Sequence, residues 1–410
     1  MSLIGRREFL TAGAMATGGA LLASRVAFAR TEGTSRFVLV ILRGALDGLS
    51  AVPPYGDPDY ARLRRELAIG APGGPEGVLK LDSMFGLHPS LSFLHDRYAA
   101  NELVVFHAIA SPYRERSHFD GQDVLENGHT RAHAVQTGWL NRALAALPTK
   151  KSQERGVALG QNVPLVMRGP ASVASWSPSK LAALDDDTIQ RIADLYSSDP
   201  LLSARLADAL EADAIAMGSD SGSEMKMLAQ TDKKDAKRYA RYDEIVDAAG
   251  SFLRSEEGPQ VAVFDTTGWD THANEGDAKG QLSGRLAGLD DSLRKLKDQL
   301  GPSWQDTAVM VVTEFGRTAA VNGTRGTDHG TGAAAFLVGG AVKGGRVVAD
   351  WPGLSASALY QGRDLKPTTD VRSVLKGILA DHLDVAPRAI EKSVFPDSGS
   401  ARAMRGLIRA

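Results

Sequence analysis

This 410-residue chain predicts a doubly wound α/β fold, a mostly parallel sheet flanked by helices, with one helical insertion. Short apolar runs recur at Phe37–Leu42, Leu103–Ile109, Pro164–Met167, Val261–Phe264, Ala308–Val312 and Ala334–Val338. They are continuous rather than alternating, as strands covered on both faces require. Helical periodicity lies between them. It is clearest where Leu282, Leu286, Leu289, Leu293, Leu296 and Leu300 share one face before Gly301-Pro302 ends the run. Strands alternating with helices build this layered class.

The elements follow in order. Residues 1–29 read as an export leader: Arg6-Arg7 in a charged start, a small apolar run from Thr11 to Ala23, and Ala27-Phe28-Ala29 as the cleavage pattern. Adjacent arginines followed by Phe9-Leu10 mark the twin-arginine (Tat) type, which implies the Tat machinery as a partner and a periplasmic or secreted location. The apolar run is too short and too rich in Gly and Ala to span a membrane, and no span follows in the mature chain. Residues 30–410 then form a single domain. Within it Gly70–Gly77 is a loop, and residues 180–255 are a helical insertion, with helices over Asp187–Leu195, Leu201–Ala214 and Ala236–Phe252 and a polar link at 217–234.

Composition excludes several functions. With 47 Lys+Arg against 49 Asp+Glu the net charge is −2, and −4 without the leader, so the chain lacks the basic surface of a nucleic-acid binder. It has no cysteine, hence no disulfide, thiolate metal site or thiol nucleophile. Gly-x-Gly-x-x-Gly after a strand, a P-loop, His-Glu-x-x-His and Gly-x-Ser-x-Gly are all missing.

The residues that follow the strands carry the chemistry, because ligands of open α/β sheets bind beyond the strands' carboxyl ends. They are Arg43-Gly-Ala-Leu-Asp47, Arg116-Ser117-His118-Phe-Asp120, Asp270-Thr-His272, Glu314-Phe-Gly-Arg317 and Asp328-His329. So many carboxylates in one crevice would repel one another, and a bound cation is the simplest remedy. Asp270 and His272, two residues apart in an extended segment, can point to one side, although such pairs also form simple loop hydrogen bonds. Mixed carboxylate and imidazole donors suit zinc, manganese or iron better than calcium. Ser117 precedes a helical segment and is either its cap or, at a helix start that attracts anions, a nucleophile. Arg43, Arg116 and Arg317 either bind substrate oxyanions or balance the acidic cluster, and His118 is either a substrate contact or solvent-facing.

On these motifs the chain resembles the exported bacterial family known as domain of unknown function 1501, which is similar to the alkaline phosphatase/sulfatase-like superfamily. The resemblance runs from about Phe37 to Leu383 and implies a metal centre with a serine nucleophile acting on phosphate or sulfate esters. Carried over by position, Ser117 is the nucleophile. Asp270, His272 and His329 hold one metal, zinc or manganese. Asp47 and Glu314, with Asp328, form an all-oxygen second site suited to magnesium or calcium. Phe315 stands where the superfamily has a further ligand. Two functions follow as expectations: a metal-dependent hydrolase or transferase of small-molecule, glycan or lipid esters, or a catalytically degenerate, metal-stabilised binding module of the cell envelope.

Overall fold

The computed structural model describes residues 35–148, 153–178, 199–217, 233–255 and 258–409, together with residues 27, 28, 192, 195 and 196. Its sheet strands are β1 (Arg36–Arg43), β2 (Leu103–Ala110), β3 (Gly156–Leu159), β4 (Ala174–Trp176), β5 (Val261–Thr267), β6 (Thr307–Thr313), β7 (Ala333–Val338), β8 (Arg346–Val348) and β9 (Thr369–Asp370). Among the described residues they form one nine-stranded sheet, in the order β8-β2-β7-β6-β1-β5-β3-β4, with β9 also on β2. Strand β7 runs antiparallel to both neighbours, and the other pairings are parallel. The fold class is the one the sequence predicts.

Both faces of the sheet are buried, which is why its strands read as unbroken apolar runs. Along β1, Val38, Val40 and Leu42 enter one core while Phe37, Leu39 and Ile41 enter the other. Two short helices, α1 (Gly48–Ala51) and α2 (Tyr60–Arg64), follow β1. The first core is covered by α3 (Ser92–Ala99), α6 (Pro200–Met217), α7 (Lys233–Arg254) and α8 (Gln281–Leu300). The second is covered by α4 (His118–Asn127), α5 (Trp139–Ala146) and α9 (Val371–Asp381). Each fully buried Val, Leu or Ile contributes about 1.5–3 kcal/mol relative to its exposed state. All six leucines of the α8 stripe are buried, and the helix stops at Gly301, whose φ of +53° suits a residue without Cβ.

Two expectations need correction. Pro164–Met167 is not a strand: Leu165–Met167 is a single 3₁₀ turn whose Val166 and Met167 are buried, so the apolar run reports burial alone. The strands in that region are β3 and β4, too short to show a pattern of their own. In the insertion, α6 and α7 match the helices expected over 201–214 and 236–252. Residues 218–232, most of the 187–195 segment and most of the leader lie outside the described residues, though Ala27–Phe28 pairs in parallel with Gln153–Glu154. No described helix is long and apolar enough to cross a membrane.

Candidate metal centre

Strands β1, β2, β5 and β6 end at one edge of the sheet, and each is followed by a loop bearing polar side chains. Antiparallel β7 begins at that same edge, so the whole 314–332 connection stays there and supplies Glu314, Arg317, Asp328 and His329 together. His118, Asp270 and His329 each offer a ligand atom to a common point, all within 4.8 Å of one another. His272 lies against the same group. Its Nε2 is 3.0 Å from Asp270 Oδ1 and 2.9 Å from His329 Nε2. His329 Nε2 is 3.3 Å from Asp270 Oδ1, and His118 Nε2 is 3.5 Å from Asp270 Oδ2.

The outer ring nitrogens fix what the inner ones can be. His118 Nδ1 faces Glu314 Oε1 at 2.8 Å, His329 Nδ1 faces the Arg116 carbonyl at 2.9 Å, and His272 Nδ1 faces Asp328 Oδ1 at 3.3 Å. Each of those partners can only accept, so a neutral ring that donates to it keeps its hydrogen on Nδ1 and turns an Nε2 lone pair inward. His118, Asp270 and His329 converge with His272 beside them, and His118 Nε2 is buried without a hydrogen-bond partner. Such a cluster could hold a cation. Tetrahedral bonds of about 2.0–2.1 Å place donors about 3.3 Å apart; His272 and His329 lie 3.0 and 3.3 Å from Asp270 Oδ1, and His118 lies 3.5 Å from Oδ2. The residues present fit a divalent metal, and imidazoles oriented by carboxylate and carbonyl acceptors are the usual support of one.

Charge around the cluster is arranged in layers. Burial works to raise the Asp270 carboxyl, but Arg317 Nη1, 2.5 Å from Oδ1, holds it below the ordinary range. Burial likewise opposes ionisation of Glu314, yet bonds from His118, Gln122 and the Gly44 amide keep it low. The Glu314 bond in turn raises His118, while burial lowers His329.

The structure does not bring every expected site residue to this point. Among the described residues none of Asp47, His272, Glu314 and Asp328 belongs to a converging group of three ligand atoms, and His118 stands in the group where His272 was expected. Asp47 is buried as the N-cap of α1. It accepts from the Leu49 and Ser50 amides at 3.0 Å each and from Arg64 Nη2 at 2.7 Å. Glu314 Oε1 is shared by Gly44 N, His118 and Gln122, and Oε2 accepts from Thr313. Both carboxylates are thus saturated by protein donors, and the second all-oxygen site is not assembled. Asp328 supports His272 from outside, itself held by Asn322 Nδ2 at 3.0 Å.

The arginines answer the charge-balance reading. Arg43 is taken up by Asp265, Glu126 and Gln122, and Arg116 by Asp364 and Gln361. Arg317 is fully buried on Asp270 and Thr327. Part of the cation that the acidic cluster demands is therefore guanidinium. Ser117 does begin α4, but its side chain makes no capping bond. Phe315 is buried and stacks on His118, with ring centroids 5.0 Å apart at 23°. Trp269 is buried as a packing residue, and His88, His95, His107 and His382 bond backbone carbonyls.

Sequence reasoning misses a second buried group beside the centre. Arg64, 0% exposed, lies 2.7 Å from Asp47 and 3.4 Å from Glu275. Glu275 also accepts from Ser50, Thr271 and Thr327, and burial together with the Asp47 charge pushes its carboxyl up to about 7. Glu275 stands five residues after Asp270, a spacing that could have marked it as a further carboxylate of the cluster; Arg64 carries no motif.

The sequence profile described as "Protein of unknown function (DUF1501)" matches residues 104–394. The chain belongs to that family. Every residue of the converging cluster lies inside the matched span, whereas Arg43, Asp47 and Arg64 lie before it. No curated protein matches the chain. Solved structures are similar at a distance. Ps i-CgsB, in complex with k-i-k-neocarrahexaose, aligns at 12% identity and TM-score 0.40 over 90% of this chain and 77% of its own. The phosphonate monoester hydrolase of Agrobacterium radiobacter aligns at 10% and 0.39 over 86% and 74%. The lipoteichoic acid synthase LtaP from Listeria monocytogenes aligns at 10% and 0.34 over 81% and 71%.

Proposed function

We propose that this protein is an exported, metal-dependent hydrolase or transferase of phosphate or sulfate esters, built around one metal held by His118, Asp270 and His329 with His272 as the adjoining donor. The observation that carries this reading is the convergence of His118, Asp270 and His329 on one point, with His272 Nε2 against Asp270 and His329 and with the outer ring nitrogens facing acceptors. Zinc or manganese suits that donor set. When bound, the metal would polarise an ester oxygen and lower the pKa of a coordinated hydroxyl. In this reading His118 is a ligand rather than the substrate contact or solvent-facing residue expected, and Glu314 is its orienting partner.

The chain's own groups supply the rest. Ser117 sits at the start of the ten-residue helix α4, where backbone amides favour an oxyanion, and its hydroxyl is not spent on a cap. Ser117 Oγ would attack phosphorus or sulfur, the ester alcohol would leave, and water or a second alcohol would then remove the group from serine. Arg317 keeps Asp270 ionised beside the reacting point. The helical insertion would shape the pocket for a small-molecule, glycan or lipid ester. Export rests on the twin-arginine leader, which would deliver the folded protein through the Tat machinery to the periplasm or beyond.

The saturation of Asp47 and Glu314 and the buried Phe315 favour one rival, a metal-stabilised binding module without turnover. A panel of aryl phosphate, phosphodiester and sulfate substrates separates the two. The enzyme reading expects metal-dependent turnover that Ser117→Ala abolishes while its metal content stays that of wild type. No turnover on any substrate with metal bound would select the rival, and turnover untouched by Ser117→Ala would remove Ser117 as the nucleophile.

A further inference from the structure

Arg116 has backbone φ of +65°, a left-handed conformation that costs a residue with Cβ about 1–2 kcal/mol. Such strain persists where surrounding contacts over-determine it. This conformation directs the Arg116 carbonyl to His329 Nδ1 at 2.9 Å, immediately before Ser117 and His118. The side chain is held from elsewhere in the chain. Arg116 Nε donates to Asp364 Oδ2 at 2.8 Å, Nη2 donates to Gln361 Oε1 at 2.7 Å, and the guanidinium lies 5.9 Å from the Tyr360 ring centroid.

The turn that grips Arg116 also grips the other side of the same bond. Tyr360 and Asp364 pair with each other, Asp364 bridges to Thr318, and the Ala319 amide donates to the Arg363 carbonyl. Thr318 N donates in turn to the Asp328 carbonyl and Gly330 N to the Gly316 carbonyl, which fixes the strand of chain carrying His329. One turn thus sets both the acceptor carbonyl and the imidazole that meets it.

We propose that the turn at residues 360–364 is a clamp for the centre and that Asp364, fully buried, is its positioning residue. It holds Arg116 left-handed, keeps the hydrogen of His329 on Nδ1, and leaves Nε2 free to act as a ligand. The consequence for metal affinity rests on the function proposed above; the consequence for the His329 tautomer does not. Arg116 is accordingly a structural arginine rather than a substrate contact.

The test compares wild type with Asp364→Asn, which keeps size and removes the charge. In metal-free protein, nitrogen-15 imidazole spectra should show His329 as one Nδ1–H tautomer in wild type and as a mixture in the variant. Cobalt(II) titration should give about 10–100-fold weaker binding, the usual cost of losing an outer partner of a ligand. A merely structural Asp364 would lower thermal stability without moving the tautomer. Should Asp364→Asn fail to fold, Gln361→Ala removes one of the two grips and should move both readouts in the same direction. A folded variant with the wild-type tautomer and a cobalt Kd within about twofold of wild type would overturn the clamp. A wild type that binds no cobalt but shows the tautomer shift would retain the clamp and overturn the metal reading.

Discussion

Replacing Arg64 with methionine should cost more than any other single change beside the centre. Arg64 is the cation closest to both Asp47 and Glu275, two carboxylates that are themselves almost fully buried. Methionine fills much of the same volume but leaves both carboxylates without a counterion, and such a loss costs about 3–5 kcal/mol. At about 2.1 cal/mol/K per residue, a protein of this length should lose about 4–6 °C in Tm. The loss should also depend on pH. Arg64 outweighs burial to hold Asp47 low, so Asp47 contributes stability above its unfolded pKa that is lost as pH falls through its lower folded value. Glu275 is raised to about 7, so its contribution is present below its unfolded pKa and lost as pH rises through about 7. Without Arg64 both groups move upward, and the variant regains stability as they take up protons. Differential scanning calorimetry at pH 8 and pH 5.5 should therefore show the larger deficit at pH 8. A Tm within about 1 °C of wild type at pH 8, or the same deficit at both values, would refute the buried-pair account.

Other expectations are equally direct. Glu314→Gln should leave the number of metals bound per chain unchanged but weaken binding about 10–100-fold, read by competition with a chromogenic chelator; loss of a metal equivalent would make Glu314 a ligand instead. In metal-free protein the Glu314 bond raises His118, so this contribution to stability is complete below about pH 6.5 and fades as pH rises through the higher folded value. Thermal melts of wild type and His118→Asn at pH 6 and pH 8.5 should accordingly differ more at pH 6, and an equal difference would remove the His118–Glu314 pair from the account.

Much of the fold was legible because burial on both faces writes itself as continuous Val, Ile and Leu, as in β1 and β6. Strands β3 and β4 were not, since three or four residues cannot establish a period. The crevice was legible for the same topological reason: Asp270 and His329 belong to loops that begin or end at the carboxyl edge of the sheet. Roles within it were harder. A carboxylate after a strand looks the same in sequence whether it touches a metal or bonds to protein groups, and only the structure shows Glu314 bonded to Gly44, Gln122 and His118. His118 stayed open between a substrate contact and a solvent-facing residue, because spacing does not reveal which ring nitrogen is already occupied. Arg64 and Asp364 come from segments outside every recognised motif, and their importance arises from tertiary contact alone.

Metal content per chain, measured by elemental mass spectrometry on protein purified without chelators or a histidine tag, tests the central claim most directly. The convergence of His118, Asp270 and His329 predicts about one equivalent in wild type, absent from both His118→Ala and Asp270→Ala. No metal after incubation with zinc or manganese, or a metal that His118→Ala leaves in place, would contradict it.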